Sequence, residues 1–187
     1  SIAEAVVDEL AGRHSATITI LRVEQVPRQQ PDIILATAVA KGDRQSTLLD
    51  MATQLGINAW QPLTCERSVT RIGKNSYQRW QKICLEACKQ SGTAWLPQLL
   101  PASSPADVTR SAIEEDREVL LAHPDGDAVY PSATGKKLLM VGPEGGFTDE
   151  EVKEIVDAGA KKIGLGENIL RIETAAISLL ARHRLGR

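Results

Sequence analysis

Two glycine-containing segments decide the fold: Val141-Gly-Pro-Glu-Gly-Gly-Phe-Thr148 and Leu165-Gly-Glu-Asn-Ile-Leu-Arg-Ile-Glu-Thr-Ala175. Each follows a short apolar run that is typical of a buried strand, and each leads into a stretch with helical periodicity. Parallel sheets bind their ligands at the carboxyl ends of strands, so both segments are candidates for one binding site. The alternative interpretation is that they are ordinary strand-to-helix turns.

Outward from these segments, strand-like and helix-like patterns alternate from residue 32 onward. The predicted strands are residues 33–39, 59–63, 118–122, 137–141 and 162–165. The first three predicted helices are residues 44–55, a helix that Asn75 caps and that ends near residue 90, and residues 104–115. The fourth begins with a Thr148–Glu151 capping box. The last has an apolar face of Ile172, Ala175, Ala176, Leu179 and Leu180. This alternation predicts an α/β fold with a mostly parallel sheet and helices on both faces.

The first residues follow a different pattern. Residues 17–24 alternate and are β-branched, which predicts one strand, whereas residues 1–15 are too few to build a core. Residues 27–31 begin and end with proline and are typical of a linker. We therefore expect residues 1–26 to be the end of a preceding domain and residues 32–187 to form the main one.

The composition limits the class of protein. Of 187 residues, 42% are hydrophobic and 25% charged, which is typical of a globular chain, and the 3% of aromatic residues predicts an aliphatic core. The net charge of −2 argues against coating of nucleic acid by bulk charge but allows a local basic patch. There is no membrane-spanning run and no signal-peptide pattern, so a cytoplasmic location without a membrane partner is the default expectation.

The three cysteines do not form a metal-binding pattern. Cys65, Cys84 and Cys88 are odd in number and contain no C-x-x-C pair. We expect buried thiols and no metal site.

The glycine-rich loop suits a ligand other than a polyphosphate. Neither phosphate-binding glycine pattern, G-x-x-x-x-G-K-[ST] or G-x-G-x-x-G, is present, and the Glu144 carboxylate would repel a phosphate. A neutral or cationic ligand fits better, and S-adenosylmethionine carries a sulfonium, an ammonium and ribose hydroxyls. A generic hydrolase is disfavoured because no G-x-S-x-G occurs.

The second segment brings polar residues to the start of the last helix. Arg171 and Glu173 are two apart and so point to different sides of a helix. On pattern alone, Arg171 is equally well a solvated surface charge, and Glu173 an acid favoured by the helix dipole.

Together, the G-P-E-G-G-F and L-G-x-x-I-L-R-x-E-T-A patterns resemble the RsmE family. These are SPOUT-class enzymes that methylate N3 of one uridine in 16S ribosomal RNA of the small ribosomal subunit. Shorter pieces resemble the family in the same order: Lys41-Gly-Asp-Arg44, Leu55-Gly56-Ile57, Pro62-Leu-Thr-Cys-Glu-Arg67, Arg79-Trp-Gln-Lys82, Glu86-Ala-Cys-Lys-Gln-Ser-Gly92 and His123-Pro124. The resemblance covers residues 17–187.

The resemblance implies features that periodicity does not show. The final helix would pass through a loop to form a deep trefoil knot, and two subunits would pair through the knotted domain as a homodimer. Residues 1–26 would be the remnant of an N-terminal PUA-like β-barrel. The implied S-adenosylmethionine site consists of Leu121, His123, Gly142, Pro143, Glu144, Gly145, Gly146, Leu165, Gly166, Ile169, Leu170 and Thr174.

The resemblance also implies catalytic and RNA-binding residues. Glu173 is a candidate base for the uridine N3 proton or a residue that orients Arg171, and Arg171 would stabilise charge on the uracil oxygens. His123 is a less favoured base, since a hydrogen-bonded turn histidine is the simpler interpretation. The candidate RNA contacts are Arg44, Arg67, Arg71, Lys74, Arg79 and Lys82, each of which is alternatively a solvated charge.

The sequence departs from the family pattern where charged residues are usual. Met51 and Gln54 stand in a segment that usually reads K-A-x-E-L-G, and Thr93 and Asn168 replace arginines. These departures leave two alternatives open: a SPOUT methyltransferase that acts on another RNA position, and a non-catalytic RNA-binding or ribosome-assembly module that keeps the fold.

Overall fold

Strands and helices alternate after residue 31, as the sequence predicts. The computed structural model describes residues 1–13, 15–127 and 134–185. The elements are β1 (Ile2–Leu10), β2 (Ala16–Glu24), β3 (Asp32–Ala38), α1 (Asp43–Gln54), β4 (Ala59–Leu63), α2 (Ser76–Ser91), β5 (Gln98–Leu99), α3 (Pro105–Glu114), β6 (Glu118–Asp127), β7 (Lys136–Val141), α4 (Asp149–Asp157), β8 (Lys161–Ile163) and α5 (Ile172–Leu185). The predicted elements are confirmed to within a few residues at their ends, except that β6 extends to residue 127.

Six strands form one sheet in the order β5-β4-β3-β7-β6-β8, and each recorded pairing in it is parallel. Successive residues of a strand point to opposite faces, yet Leu138, Leu139 and Met140 of β7 are all buried. Both faces of the central strands are therefore covered, as expected for a parallel sheet. Helix α5 packs on β3, β7 and α1, and α3 packs against α4 and β6.

The core is mainly aliphatic but contains an aromatic cluster that the scarcity of aromatic residues did not predict. Trp60 of β4 is fully buried and meets Trp80 of α2 edge-on, with ring centroids 4.9 Å apart. The Trp60 Nε1 donates to Thr37 Oγ1, and Tyr77 packs against Trp80. This cluster joins α2 to the sheet.

One of the two predicted helix caps is formed, and α3 is capped as well. Ser104 Oγ accepts from Asp107 N, and Thr148 and Glu151 form both hydrogen bonds of the predicted capping box. Asn75 precedes α2 as predicted, but its side chain makes no capping hydrogen bond.

The N-terminal region is an antiparallel hairpin of β1 and β2 rather than a single strand. Two register irregularities in β1, between Glu4 and Ala5 and between Val7 and Glu9, disturb its alternation, which explains why the sequence pattern did not reveal it. Every residue of both strands is exposed. The domain division at residues 26 and 32 stays a prediction, and its last domain includes residues 128–133 and 186–187, which lie outside the described residues.

The segment after the hairpin contacts the main sheet domain through Trp95. Its indole Nε1 donates to the carbonyl of Val26 at 2.9 Å, and the Arg28 guanidinium lies 4.8 Å from its ring centroid. No helix in the described part of the chain is long and apolar enough to cross a membrane.

Two glycines allow a close crossing of backbone between β6 and the segment after β8. A Cβ on Gly164 would lie 2.6 Å from the Gly126 carbonyl oxygen, and one on Gly126 would lie 2.3 Å from Ile163 backbone. The Gly164 N–H donates to the carbonyl of Asp127 at 3.0 Å. The crossing requires glycine in both segments. It places residues 164–171 beside the end of β6.

Candidate functional site

The two segments that follow β7 and β8 meet in one cavity at the carboxyl edge of the sheet. The cavity has a volume of about 450 Å³ and lies at the ends of β7, β6 and β8. It is lined by Arg67, Ala122, His123, Pro124, Val141, Gly142, Pro143, Glu144, Gly145, Gly146, Phe147, Leu165, Gly166, Glu167, Asn168, Ile169, Leu170, Ile172 and Ala175. Ten of the twelve residues predicted for the cofactor site therefore lie together.

The glycine-rich loop after β7 is shaped by two of its glycines. A Cβ on Gly142 would lie 2.8 Å from the Phe147 ring, so the ring occupies the space that a side chain would need. Gly146 has a φ of +70°, which favours glycine, and its N–H donates to the Pro143 carbonyl at 2.9 Å. The buried Phe147 thus closes the loop into a tight turn.

Arg67 fixes this loop from the segment that follows β4. Its Nη1 donates to the carbonyls of Gly145 at 3.0 Å and of Phe147 at 3.2 Å. Glu151 of α4 makes a second link, because its Oε1 accepts from the Glu66 N–H at 2.9 Å. Arg67 was predicted to contact RNA; in the structure it positions the loop and lines the cavity.

Glu144 brings a carboxylate to the cavity. Its Oε1 lies 3.8 Å from Arg44 Nη1 of α1, and both side chains are about one-third exposed. This separation is longer than a hydrogen bond. Arg44 therefore partly balances the negative charge of Glu144 but does not hydrogen-bond to its carboxylate. The loop can therefore still attract a cationic group, as its sequence predicts.

The segment after β8 forms the opposite wall. Ile169 is 95% exposed although it is apolar, and Leu170 and Leu165 pack partly against the core. An exposed isoleucine at the mouth of a cavity offers apolar surface to a flat ligand.

The two candidate catalytic residues lie beside the cavity rather than among its lining residues. Arg171 is exposed immediately before α5, and Glu173 in the first turn of α5 is half-buried. Glu173 Oε2 is buried and has no hydrogen-bond partner among the described residues. Thr174 is exposed and Leu121 is buried within β6, and neither lines the cavity.

His123 lines the cavity and makes a local contact within β6. Its Nδ1 accepts from the Asp125 N–H at 3.1 Å, which leaves Nε2 as the protonated nitrogen of the neutral ring. His123 is thus hydrogen-bonded locally, but it lies within β6, where the pairing with β8 shifts register between Ala122 and Asp127, and not in the turn that the sequence predicted.

The six predicted RNA-binding residues differ in their relation to the cavities, and their role stays a prediction. Arg67 lines the cavity described above and Arg44 lies beside its Glu144, whereas Arg71 and Arg79 line a second cavity of about 480 Å³. Lys74 and Lys82 are exposed and line neither cavity. Four of the six basic residues thus border the two cavities.

The three cysteines are buried and free. Burial raises the pKa of Cys65 to about 12, and the nearby Glu151 carboxylate adds to this effect. Burial likewise raises the pKa of Cys84 and of Cys88. Their thiols stay protonated near neutral pH and do not act as nucleophiles. Within the described ranges, no group of three or more His, Cys, Asp or Glu could hold a metal ion.

The sequence did not indicate several lining residues. Ala122, Phe147, Ile172 and Ala175 are apolar residues that pattern assigns to the core, and Asn168 was noted only as a departure from a family arginine. Their position in the cavity depends on the strand order, which brings β6 between β7 and β8. A single sequence carries no signal for that order.

Comparison with known proteins agrees with this geometry. The family model for the RNA methyltransferase domain matches residues 27–184. The ribosomal RNA small subunit methyltransferase E of Synechocystis is 34% identical over 157 residues, which cover 80% of this chain and 52% of that protein. The same-named protein of Rickettsia conorii is 30% identical over 187 residues, covering 93% of this chain and 72% of that protein. The chain thus spans about half to three-quarters of the length of these relatives.

Solved structures show the same fold. A Legionella pneumophila methyltransferase in complex with the bound cofactor SAM has a TM-score of 0.88 at 30% identity, covering 98% of this chain and 78% of that chain. The ribosomal RNA small subunit methyltransferase E of Neisseria gonorrhoeae, bound to S-adenosylmethionine, has a TM-score of 0.84 at 30% identity, covering 98% and 77%. A TrmH/SpoU tRNA modifying enzyme of A. aeolicus shares the fold at a TM-score of 0.58 and 17% identity. The chain belongs to the ribosomal RNA small subunit methyltransferase E family.

Proposed function

We propose that this chain is an S-adenosylmethionine-dependent RNA methyltransferase that methylates N3 of a uridine in 16S ribosomal RNA. The observation that carries the proposal is the single cavity formed by residues 142–147 and 165–170 at the carboxyl edge of the sheet. The Neisseria and Legionella structures, each 30% identical, contain this methyl donor. The substrate would be the small ribosomal subunit, in the cytoplasm where it is made.

The lining of the cavity suits this cofactor. Backbone groups of the glycine-rich loop and of residues 165–170 offer hydrogen-bonding edges for adenine and ribose, while Phe147, Ile169 and Leu170 supply apolar surface. Glu144 carries the charge that a sulfonium and an ammonium require. The assignment is supported by the size of the cavity and by the ten predicted contact residues that line it. Leu121 and Thr174 would lie near the cofactor without contacting it.

The chemistry needs a methyl acceptor that has lost its proton. The bound cofactor supplies an activated methyl group, so the protein has to orient uridine N3 and remove its proton. Glu173 is the proposed base because its buried Oε2 lacks a partner in the described chain. Arg171, exposed at the start of α5, would stabilise negative charge on the uracil oxygens, or would be oriented by Glu173.

We further propose three features of the architecture. The final helix passes through a loop to form a trefoil knot, which the tight Gly126–Gly164 crossing supports. The knotted domain pairs with a second copy as a homodimer. The exposed β1–β2 hairpin belongs to a PUA-like barrel whose remaining strands would cover it.

Cofactor titration by calorimetry tests the cavity. Wild type should bind S-adenosylmethionine, whereas Gly145→Arg should bind at least tenfold more weakly, because its side chain adds bulk and charge beside Arg67. No binding by wild type, or equal binding by both proteins, would overturn the assignment. Size-exclusion chromatography with light scattering tests the dimer.

Methylation of small subunits from a strain that lacks the modification tests the reaction. Arg171→Ala and Glu173→Gln should each lower the rate at least a hundredfold, with cofactor affinity kept, and the modified nucleotide is mapped by reverse transcription. A modified position elsewhere supports a different SPOUT specificity. Cofactor binding without any turnover supports a non-catalytic assembly module, which the exposed position of Arg171 outside the cavity lining favours as the second candidate.

A further inference from the structure

A second cavity contains two of the predicted RNA contacts, Arg71 and Arg79, and none of the residues of the proposed cofactor site. It has a volume of about 480 Å³ and lies between the end of β3, the segment after β4 and the start of α2. It is lined by Val39, Ala40, Gly42, Gln45, Thr70, Arg71, Gly73, Asn75, Ser76, Arg79 and Trp80. None of these described residues is acidic, and two are arginines, so the cavity attracts an anion.

Gln45 is the buried polar residue of this cavity. It is 1% exposed, and its Oε1 accepts from the Ala40 N–H at 2.9 Å. That hydrogen bond fixes the orientation of the amide, since only the oxygen can accept. The Nε2 donor is then left without a partner among the described residues. A buried donor that lacks an acceptor is costly, and a ligand oxygen in this cavity would supply the missing acceptor.

The start of α2 adds a further favourable term for an anion. The Asn75 side chain makes no capping hydrogen bond, so it does not compete for the amides of the first turn. Helix N-termini favour negative charge because of the dipole and these amides. The N-terminus of α2 would thus add to the attraction that Arg71 and Arg79 exert on an anion, but it would not form a binding site by itself.

Two adjacent residues of α1 contact the two cavities separately. Arg44 lies 3.8 Å from Glu144 in the first cavity, and Gln45, the next residue, lines the second. Strands β3 and β7 are also neighbours, with Thr37 paired to Val141, so the loops that follow them lie side by side. The two cavities therefore lie at the same edge of the sheet, after neighbouring strands.

We infer that the second cavity binds one nucleotide of the RNA strand, with its phosphodiester on Arg71 and Arg79 and an oxygen of its base accepting from Gln45 Nε2. This inference rests on the proposed function, and it assigns Gln45 as a specificity-determining residue. A nucleotide combines the anion that the arginines require with the carbonyl acceptor that the buried amide requires.

Fluorescence anisotropy with a labelled decauridylate RNA tests the inference. Arg79→Met should weaken binding about fivefold and lower the slope of log K against log salt by about 0.7, the change for one phosphate contact to a single strand. Arg71→Met should behave alike. Lys89→Met is the matched control, since it removes the same charge from an exposed position on the same helix, away from the cavity.

Gln45 is tested separately, because a neutral donor affects affinity without changing the salt slope. Gln45→Met should weaken RNA binding about fivefold, as expected for one lost hydrogen bond. Gln45→Glu keeps the acceptor for the Ala40 N–H but replaces the donor by an oxygen, so it should weaken binding further. Wild-type affinity in both Gln45 variants, or equal losses in Arg79→Met and Lys89→Met, would overturn the inference.

Calorimetry with S-adenosylmethionine and thermal melting separate the possible failures. If a Gln45 variant has a lowered melting temperature, its RNA affinity is not interpretable, and the RNA affinities of Arg71→Met and Arg79→Met relative to Lys89→Met then test the inference. Loss of cofactor binding by wild type, with RNA binding still dependent on Arg79, removes the methyltransferase proposal and keeps the nucleotide site. If wild type binds the cofactor but its RNA affinity does not change in the Arg71, Arg79 and Gln45 variants, the nucleotide site is removed and the methyltransferase proposal is kept.

Discussion

At the scale of single residues, Gly142 leaves no room for even a methyl group because the Phe147 ring would lie 2.8 Å from its Cβ. Gly142→Ala should displace that ring, lower the free energy of unfolding by roughly 1–3 kcal/mol as overpacking does, and weaken cofactor binding at least tenfold. Gly145→Ala should cost much less, since its Cβ would meet Arg67 at an ordinary 3.5 Å. Calorimetry on both variants checks the order, and equal losses would contradict it.

Cys65 gives a second residue-scale prediction. Its pKa, raised to about 12 by burial and by Glu151, keeps the thiol neutral in the folded state, whereas the unfolded thiol ionises near its ordinary pKa of 9.0. Stability from this group is therefore full below pH 9 and is lost as the pH rises from about 9 to 12. At pH 8 the folded protein should resist iodoacetamide at Cys65, and the unfolded protein should react. Fast labelling of the folded chain, read by peptide mass spectrometry, would refute this.

The residue scale also shows how much of the site could be predicted. The glycines and Glu144 were identifiable because turn geometry and charge restrict those positions. The role of Arg67 could not be predicted, because its hydrogen bonds reach Gly145 and Phe147, some eighty residues away in the chain. Gln45 was missed for the same reason, since only the folded chain shows which of its amide atoms lacks a partner.

At the scale of elements, the cap of α4 stabilises a helix and also anchors the cavity. Thr148→Ala removes the capping bond to Glu151 N and should cost about 1 kcal/mol, a typical value for a lost cap. Because Thr148 directly follows the glycine-rich loop, cofactor affinity should fall as well. Ser104→Ala, which removes the cap of α3, a helix that contributes no residue to the cavity, should cost similar stability but keep cofactor affinity. Urea denaturation and calorimetry on both proteins make the comparison.

Helix α5 carries a buried histidine that links stability to pH. Burial lowers the pKa of His183, and the positive charges of Lys137 and Arg182 lower it further, while Glu118 opposes them. The unfolded chain then binds the proton first, so stability falls as the pH drops below about 6.5, the ordinary value. The urea midpoint of wild type should fall between pH 7.5 and 5.5, and His183→Leu should remove part of that decline. An unchanged decline in the variant would contradict the assignment.

Element boundaries were predictable where local chemistry sets them, as at Ser104, Thr148 and Gly92. The two-residue strand β5 was not, because it pairs only with the start of β4 and has no pattern of its own. Strand β1 escaped prediction because its register irregularities break the alternation that identifies a strand.

At the scale of the whole molecule, the parallel sheet was predictable from the alternation of strands and helices, but the strand order was not. The order β3-β7-β6-β8 reverses β6 and β7 relative to the chain, so it depends on long-range packing. That reversal is what brings His123 and residues 165–170 to one cavity. The site is therefore a property of topology more than of either segment alone.

The β1–β2 hairpin provides the last prediction. All residues of both strands are exposed, including Val6, Val7 and Ile20, so the hairpin adds nothing to the core of the sheet domain. Removing residues 1–24 keeps Val26, whose carbonyl binds Trp95, and should leave the melting temperature and the cofactor affinity of the sheet domain nearly unchanged. The shortened protein should be more soluble, because exposed apolar strand surface promotes association. A melting temperature lower by more than about 4 °C, which corresponds to roughly 1 kcal/mol or more in a chain of this size, would show that the hairpin is part of the same folding unit and would contradict the proposed domain boundary.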